Sequence, residues 1–124
     1  MEKFMLIVRS DLEMLKKRKE AEQFLEWPDM LDWVKSLSES GNYVQGQPLG
    51  LTGRYVTQTE VLSDGPFIES KEGVIGYDII HAENIEQAVA IAQSCPMVIS
   101  GMAIREVRPM VMPTEEQAKP KKPS

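Results

Sequence analysis

The chain has 124 residues, 42% hydrophobic and 27% charged, which sets the expectation of one globular domain with a single modest core. A formal net charge of -5 argues against nucleic acid or an anionic membrane as a partner, and the one basic run, Lys16-Lys17-Arg18-Lys19, reads as a solvated face or a mobile segment. A single cysteine, Cys95, excludes an intramolecular disulfide framework and fits a reducing cytosol, while a single histidine, His81, leaves a structural zinc site without enough ligands.

Phe4 to Val8 is a continuous apolar run of strand length, closed by Arg9. It is too short for a signal segment, Glu2 breaks its start, and no stretch approaches a transmembrane span, so the expected location is cytoplasmic. Residues 10–20 are highly charged and read as a loop with one helical turn at most. Met30, Val34 and Leu37 then mark a helix, with Trp33 beside them and Trp27 and Leu31 on its flank; Gly41 stops it. Pro28 requires either a start near Trp27 or a kink after an earlier helix over residues 21–25.

Residues 43–63 hold strand-like pieces broken by Gly46, Pro48, Gly50 and Gly53, and Arg54 to Leu62 reads as one strand from its β-branched and aromatic content. After a turn, Val74 to Ala82 is a second clear strand. Neither of its faces, Ile75/Tyr77/Ile79/His81 or Val74/Gly76/Asp78/Ile80, is cleanly polar, so both are expected to be covered. Asn84 caps a helix with Gln87 as its capping-box partner; Ile85, Ala88, Val89 and Ala92 form its apolar stripe, and Pro96 ends it. Met102 to Val107 is the last strand. Residues 1–112 form the expected domain, and the Pro-, Lys- and Glu-rich residues 113–124 a disordered tail.

The order β, α, β, β, α, β predicts an α+β fold of ferredoxin-like type, an antiparallel sheet with both helices on one face. The other face then needs a cover, and a second copy meeting it sheet to sheet supplies one, so a homodimer is expected.

The turn Asp64-Gly65-Pro66-Phe67, with Glu69, Lys71 and Glu72 close behind, is the strongest candidate site. A turn aspartate ordinarily accepts from the backbone N–H two residues on, and Pro66 has none. Asp64 is therefore the best candidate for a general base or ligand anchor, with Glu69 and Lys71 on the rim, though a purely structural hairpin explains the same residues. Asp78 lies mid-strand among apolar neighbours, where a buried carboxylate needs a partner; Arg9, Arg54, Arg105 and Arg108 are the options. Tyr77 and Arg9 complete the ligand-binding candidates. His81 reads as a surface or satisfied histidine, and Cys95, at a helix C-terminus, as a buried, inert thiol. Gly46 and Gly50 lack the context of a phosphate loop and there is no nucleophile elbow, so no cofactor is implied.

Residues 63–72, Ser-Asp-Gly-Pro-Phe-Ile-Glu-Ser-Lys-Glu, resemble the signature of the DGPF branch of the YCII-related proteins. The opening Lys3 to Arg9, Trp33 and Gly41, Gly46-Gln47-Pro48-Leu49, Gly76-Tyr77, Glu86-Gln87-Ala88, Cys95-Pro96 and Glu106 to Pro109 follow the family pattern in order, over roughly residues 1–110. The resemblance implies a dimeric α/β barrel of ferredoxin-like protomers. It implies little about activity: relatives include proteins found beside extracytoplasmic-function sigma factors, and the wider superfamily includes small-molecule enzymes such as muconolactone isomerase and chlorinated-aromatic dehydrochlorinases. In YCII proteins proper a His on the first helix and an Asp before the proline after the second helix form a suspected catalytic pair; here those positions fall at Met30 and Cys95, and the pair does not carry over. Three readings stand: a small-molecule binder or enzyme with a cleft near the Asp64 turn and dimer seam, a regulatory module with a protein partner, and a structural dimer without ligand.

Overall fold

The computed structural model describes residues 1–18, 26–63 and 72–120. Its main sheet has four antiparallel strands in the order β2-β5-β1-β6: β1 (Glu2–Asp11), β2 (Tyr43–Pro48), β5 (Glu72–Ala82) and β6 (Ile104–Pro109). The apolar centre of the chain therefore lies on β1 and β5, the two inner strands. Phe4, Leu6 and Val8 of β1 point to one face and are buried, in register with Ile80, Asp78 and Gly76 of β5. Helices α2 (Trp27–Glu39) and α3 (Ile85–Gln93) cover that face: Trp33 and Leu37 of α2 and Ala88 and Ala92 of α3 join Phe4, Leu6 and Ile80 in one core cluster.

Helix α2 begins at Trp27, with Pro28 in its first turn where a missing N–H costs nothing. It ends through Gly41 at φ +79°, a conformation that glycine adopts without strain. Asn84 caps α3 by accepting from Gln87 N (2.9 Å), and Gln87 Oε1 accepts from Glu83 N (2.6 Å). Within α3 the buried side is Ala88 and Ala92, whereas Ile85 and Val89, read as part of the apolar stripe, are exposed.

Three expectations are corrected. Residues 10–20 are not a loop as far as they are described: β1 runs on to Asp11, and α1 (Leu12–Lys17) follows at once. Asp11 Oδ1 caps α1 by accepting from Met14 N (3.1 Å), and Leu12 and Leu15 bury beneath the basic residues. The single strand expected over 54–62 is instead a ribbon of two short strands, β3 (Arg54–Val56) and β4 (Val61–Ser63), outside the main sheet. Its turn is made by Thr57, whose N–H donates to Glu60 O (2.8 Å) and whose hydroxyl oxygen accepts from Glu60 N (3.0 Å). Finally, Pro96 does not only end a helix: Cys95 is the N-cap of a short α4 (Pro96–Ile99), not simply the residue after a helix C-terminus.

Two bulges shape the sheet. Register slips at Val8/Arg9 leave Ile75 of β5 unopposed, and slips between Tyr43 and Gln45 do the same for Val44 of β2. Both flank the site described next.

Candidate functional site

Helix α2 presents Trp27, Met30, Leu31 and Val34, spaced i, i+3, i+4 and i+7, to a cavity of about 470 Å³ between the helix and the sheet. This lies within the roughly 300–1,000 Å³ usual for small-molecule sites. The opposite wall is β2 and the bulged part of β5, and the strap Leu49-Gly50-Leu51 forms part of the rim. Trp27 and Leu31 are half to two-thirds exposed at the mouth.

The polar floor is built by Asp78, Tyr43 and Arg105. Register places Tyr43 opposite Ile80 and Gly46 opposite Asp78 on neighbouring strands. Tyr43 Oη donates to Asp78 Oδ1 (2.7 Å), and Arg105 Nη1 donates to Asp78 Oδ2 (2.6 Å). Arg105 reaches Asp78 from β6 across β1, and on its way Nη1 also donates to Leu6 O (3.2 Å). Nη2 contacts Cys95 Sγ at 3.3 Å, and the guanidinium carbon stands 5.0 Å from the centre of the Trp33 ring. Gly46 is required beneath this cluster: a Cβ there would collide with Asp78 Oδ1, the Tyr43 hydroxyl and the Tyr77 carbonyl.

Electrostatics follow from this geometry. The Asp78–Arg105 pair is almost wholly buried and formally neutral. Burial, then the hydrogen bond to Asp78 and its charge, push the Tyr43 phenol far above its ordinary range, so it remains protonated and donates to the carboxylate. At the mouth, Glu26 is held by both Arg18 nitrogens (3.0 and 2.8 Å), which lowers its carboxyl below the usual range.

A YCII-related domain model matches residues 3–111. The chain belongs to the YCII-related family. Met30 and Cys95, onto which the sequence resemblance maps that family's suspected His–Asp pair, are in contact: Met30 Sδ and Cys95 Sγ are 3.7 Å apart. Neither of these sulfur atoms reproduces a histidine–carboxylate proton relay. Among solved structures the chain is similar to a 5-chloro-2-hydroxyhydroquinone dehydrochlorinase from Burkholderia phenoliruptrix AC1100, in complex with 2,5-dihydroxybenzoquinone, at 18% identity and TM-score 0.48 over 85% of this chain and 90% of that one. No curated protein matches the sequence.

Of the residues singled out in the sequence, Asp78 and Tyr77 line the cavity. Arg9 does not. It pairs with Glu106 (3.1 Å) and borders a separate hollow of about 250 Å³ beside Ser10 and Met102. Asp64, Glu69 and Lys71 lie outside the described residues. His81 is neither exposed nor satisfied, since its Nδ1 is buried with no hydrogen-bond partner among the described residues. Tyr43 and Gly46 line the cavity and were not singled out in the sequence; their signal was a tyrosine and a glycine three apart on the strand beside Asp78. No helix among the described residues is long and apolar enough to cross a membrane.

Proposed function

We propose that this protein binds a small, largely apolar molecule in the cavity under α2, as a homodimer joined through the sheet face that the helices leave open. The observation that carries the reading is a preformed apolar cavity of about 470 Å³ with one concentrated polar cluster, Asp78–Arg105–Tyr43, at its floor. Binding is favoured over proton transfer within this cluster, because the carboxylate is paired, the phenol stays protonated and the sulfur pair replaces the relay. The dimer is supported by Met5 and Ile7, which alternate with the buried Phe4, Leu6 and Val8, so point away from α2 and α3, and are only partly buried within one chain.

The test is native mass spectrometry of gently purified protein, combined with a fragment screen by ligand-observed NMR. The cavity reading expects saturable binders that Leu31→Trp displaces, since that change narrows the mouth from an exposed position without touching the core. Fragments that bind equally well to Leu31→Trp, or no binders at all, would remove the cavity from consideration.

A further inference from the structure

The chemistry of the cavity floor narrows what it can hold, if it is a ligand site as proposed above. Among the described residues Arg105 is the only cation in contact with the floor cluster, and its side chain is 1% exposed against 10% for Asp78. Its Nη1 hydrogens go to Leu6 O and Asp78 Oδ2, its Nη2 contacts Cys95 Sγ, and its Nε, without a hydrogen-bond partner among the described residues, is sealed from solvent. A ligand therefore meets the carboxylate edge before it meets the guanidinium. Among the described residues Asp78 Oδ1 accepts only from Tyr43 and Oδ2 only from Arg105, yet each carboxylate oxygen accommodates about two donors. The Tyr43 oxygen, having donated its proton to Asp78, also keeps its lone pairs. The unused capacity facing the cavity is thus for accepting hydrogen bonds.

Charge balance sets the second condition. Asp78 is neutralised by Arg105, and Glu26 at the mouth by Arg18. A charged ligand would lose its hydration among apolar walls and find no free counter-ion among the described lining residues, and an anion would also face the Asp78 edge. We propose that the site selects an uncharged, largely apolar molecule that carries a hydroxyl group, and that this hydroxyl donates to the Asp78–Tyr43 acceptor pair. Apolar contact with Met30, Leu31 and Val34 holds the skeleton, and the hydroxyl sets its orientation.

The experiment compares four probes with one skeleton by isothermal titration calorimetry at about neutral pH: 2-naphthol, 2-methoxynaphthalene, 2-naphthoate and 2-naphthylmethylammonium. The expected result is 2-naphthol binding at least about tenfold tighter than each of the other three, the scale of one well-placed hydrogen bond at a buried acceptor. Asp78→Asn, which leaves Arg105 without its counter-charge, is expected to reverse the order in favour of 2-naphthoate. Tightest binding of the naphthoate or the ammonium by the unaltered protein, or a methoxy compound equal to the naphthol, overturns the hydroxyl assignment while leaving the cavity a ligand site. Binding of none of the four overturns the assignment together with the site. The comparison on unaltered protein decides the matter even where the variant does not fold.

Discussion

Asp78 shows how one residue couples the fold to the site. Removing it leaves Arg105 charged and buried, so Asp78→Ala is expected to cost about 3–5 kcal/mol in urea unfolding. Replacing the pair together, Asp78→Leu with Arg105→Met, is expected to recover most of that loss, because two desolvated charges are exchanged for apolar contact. Glu26 offers a second test. Its carboxyl is lowered in the folded state by the hydrogen bonds from Arg18, so its contribution is present above the ordinary carboxylate range and is lost as pH falls through that range to the lowered value. An NMR titration is expected to show Glu26 returning toward its ordinary range in Arg18→Gln, with a flatter loss of stability on the acid side. Asp78 was legible in the sequence as a buried charge in need of a partner. Which of four arginines answered it was not, because Arg105 lies two strands away and reaches over Leu6, a relation that only the strand order β5-β1-β6 creates.

At the level of elements, long periodic segments were readable and short ones were not. Helix α2 and the capping box of α3 follow from local chemistry, and their ends fall where Pro28, Gly41 and Asn84 place them. The segment after Gly53 was misread because its turn uses no glycine or proline. Thr57 closes it with its own side chain, inside a stretch whose composition favours a strand throughout. Thr57→Val is therefore expected to loosen the ribbon by about 1 kcal/mol, seen as faster hydrogen exchange at Glu60 N–H. The global urea midpoint should stay within error, since among the described elements β3 and β4 pack only on each other. Helix α1 was read as no more than one helical turn in a loop for a related reason. Its charges suggested a loop, whereas Leu12 is seated over Gly73, where a Cβ would strike the leucine side chain. No local pattern announces that fit.

The whole molecule has one sheet face filled by its own helices and another that carries the partly buried Met5 and Ile7. Ile7→Glu places a charge in the middle of that second face. In the proposed homodimer it is expected to convert a dimer to a monomer in sedimentation velocity runs, with the helix content unchanged by circular dichroism. An unaltered protein that sediments as a monomer would remove the dimer. The two-sided apolar character of β1 was visible in the sequence. The cavity was not, because its floor depends on a cross-strand pairing: Gly46 lies opposite Asp78, and its missing side chain leaves the place that the Asp78 carboxylate and the Tyr43 hydroxyl occupy.

The contact between Met30 and Cys95 has a consequence for measuring motion. Cys95 is the only thiol in the chain and is fully buried, wedged between α2, α4 and the Arg105 side chain. A bulky disulfide reagent cannot reach it without the helical layer parting from the sheet, so the rate of colour release is a clock for that opening, in a protein that needs no engineered label. The same parting would expose the cavity from the inside. A molecule lodged under α2 should therefore slow the clock in proportion to its occupancy, and one bound anywhere else should leave it running at its own pace.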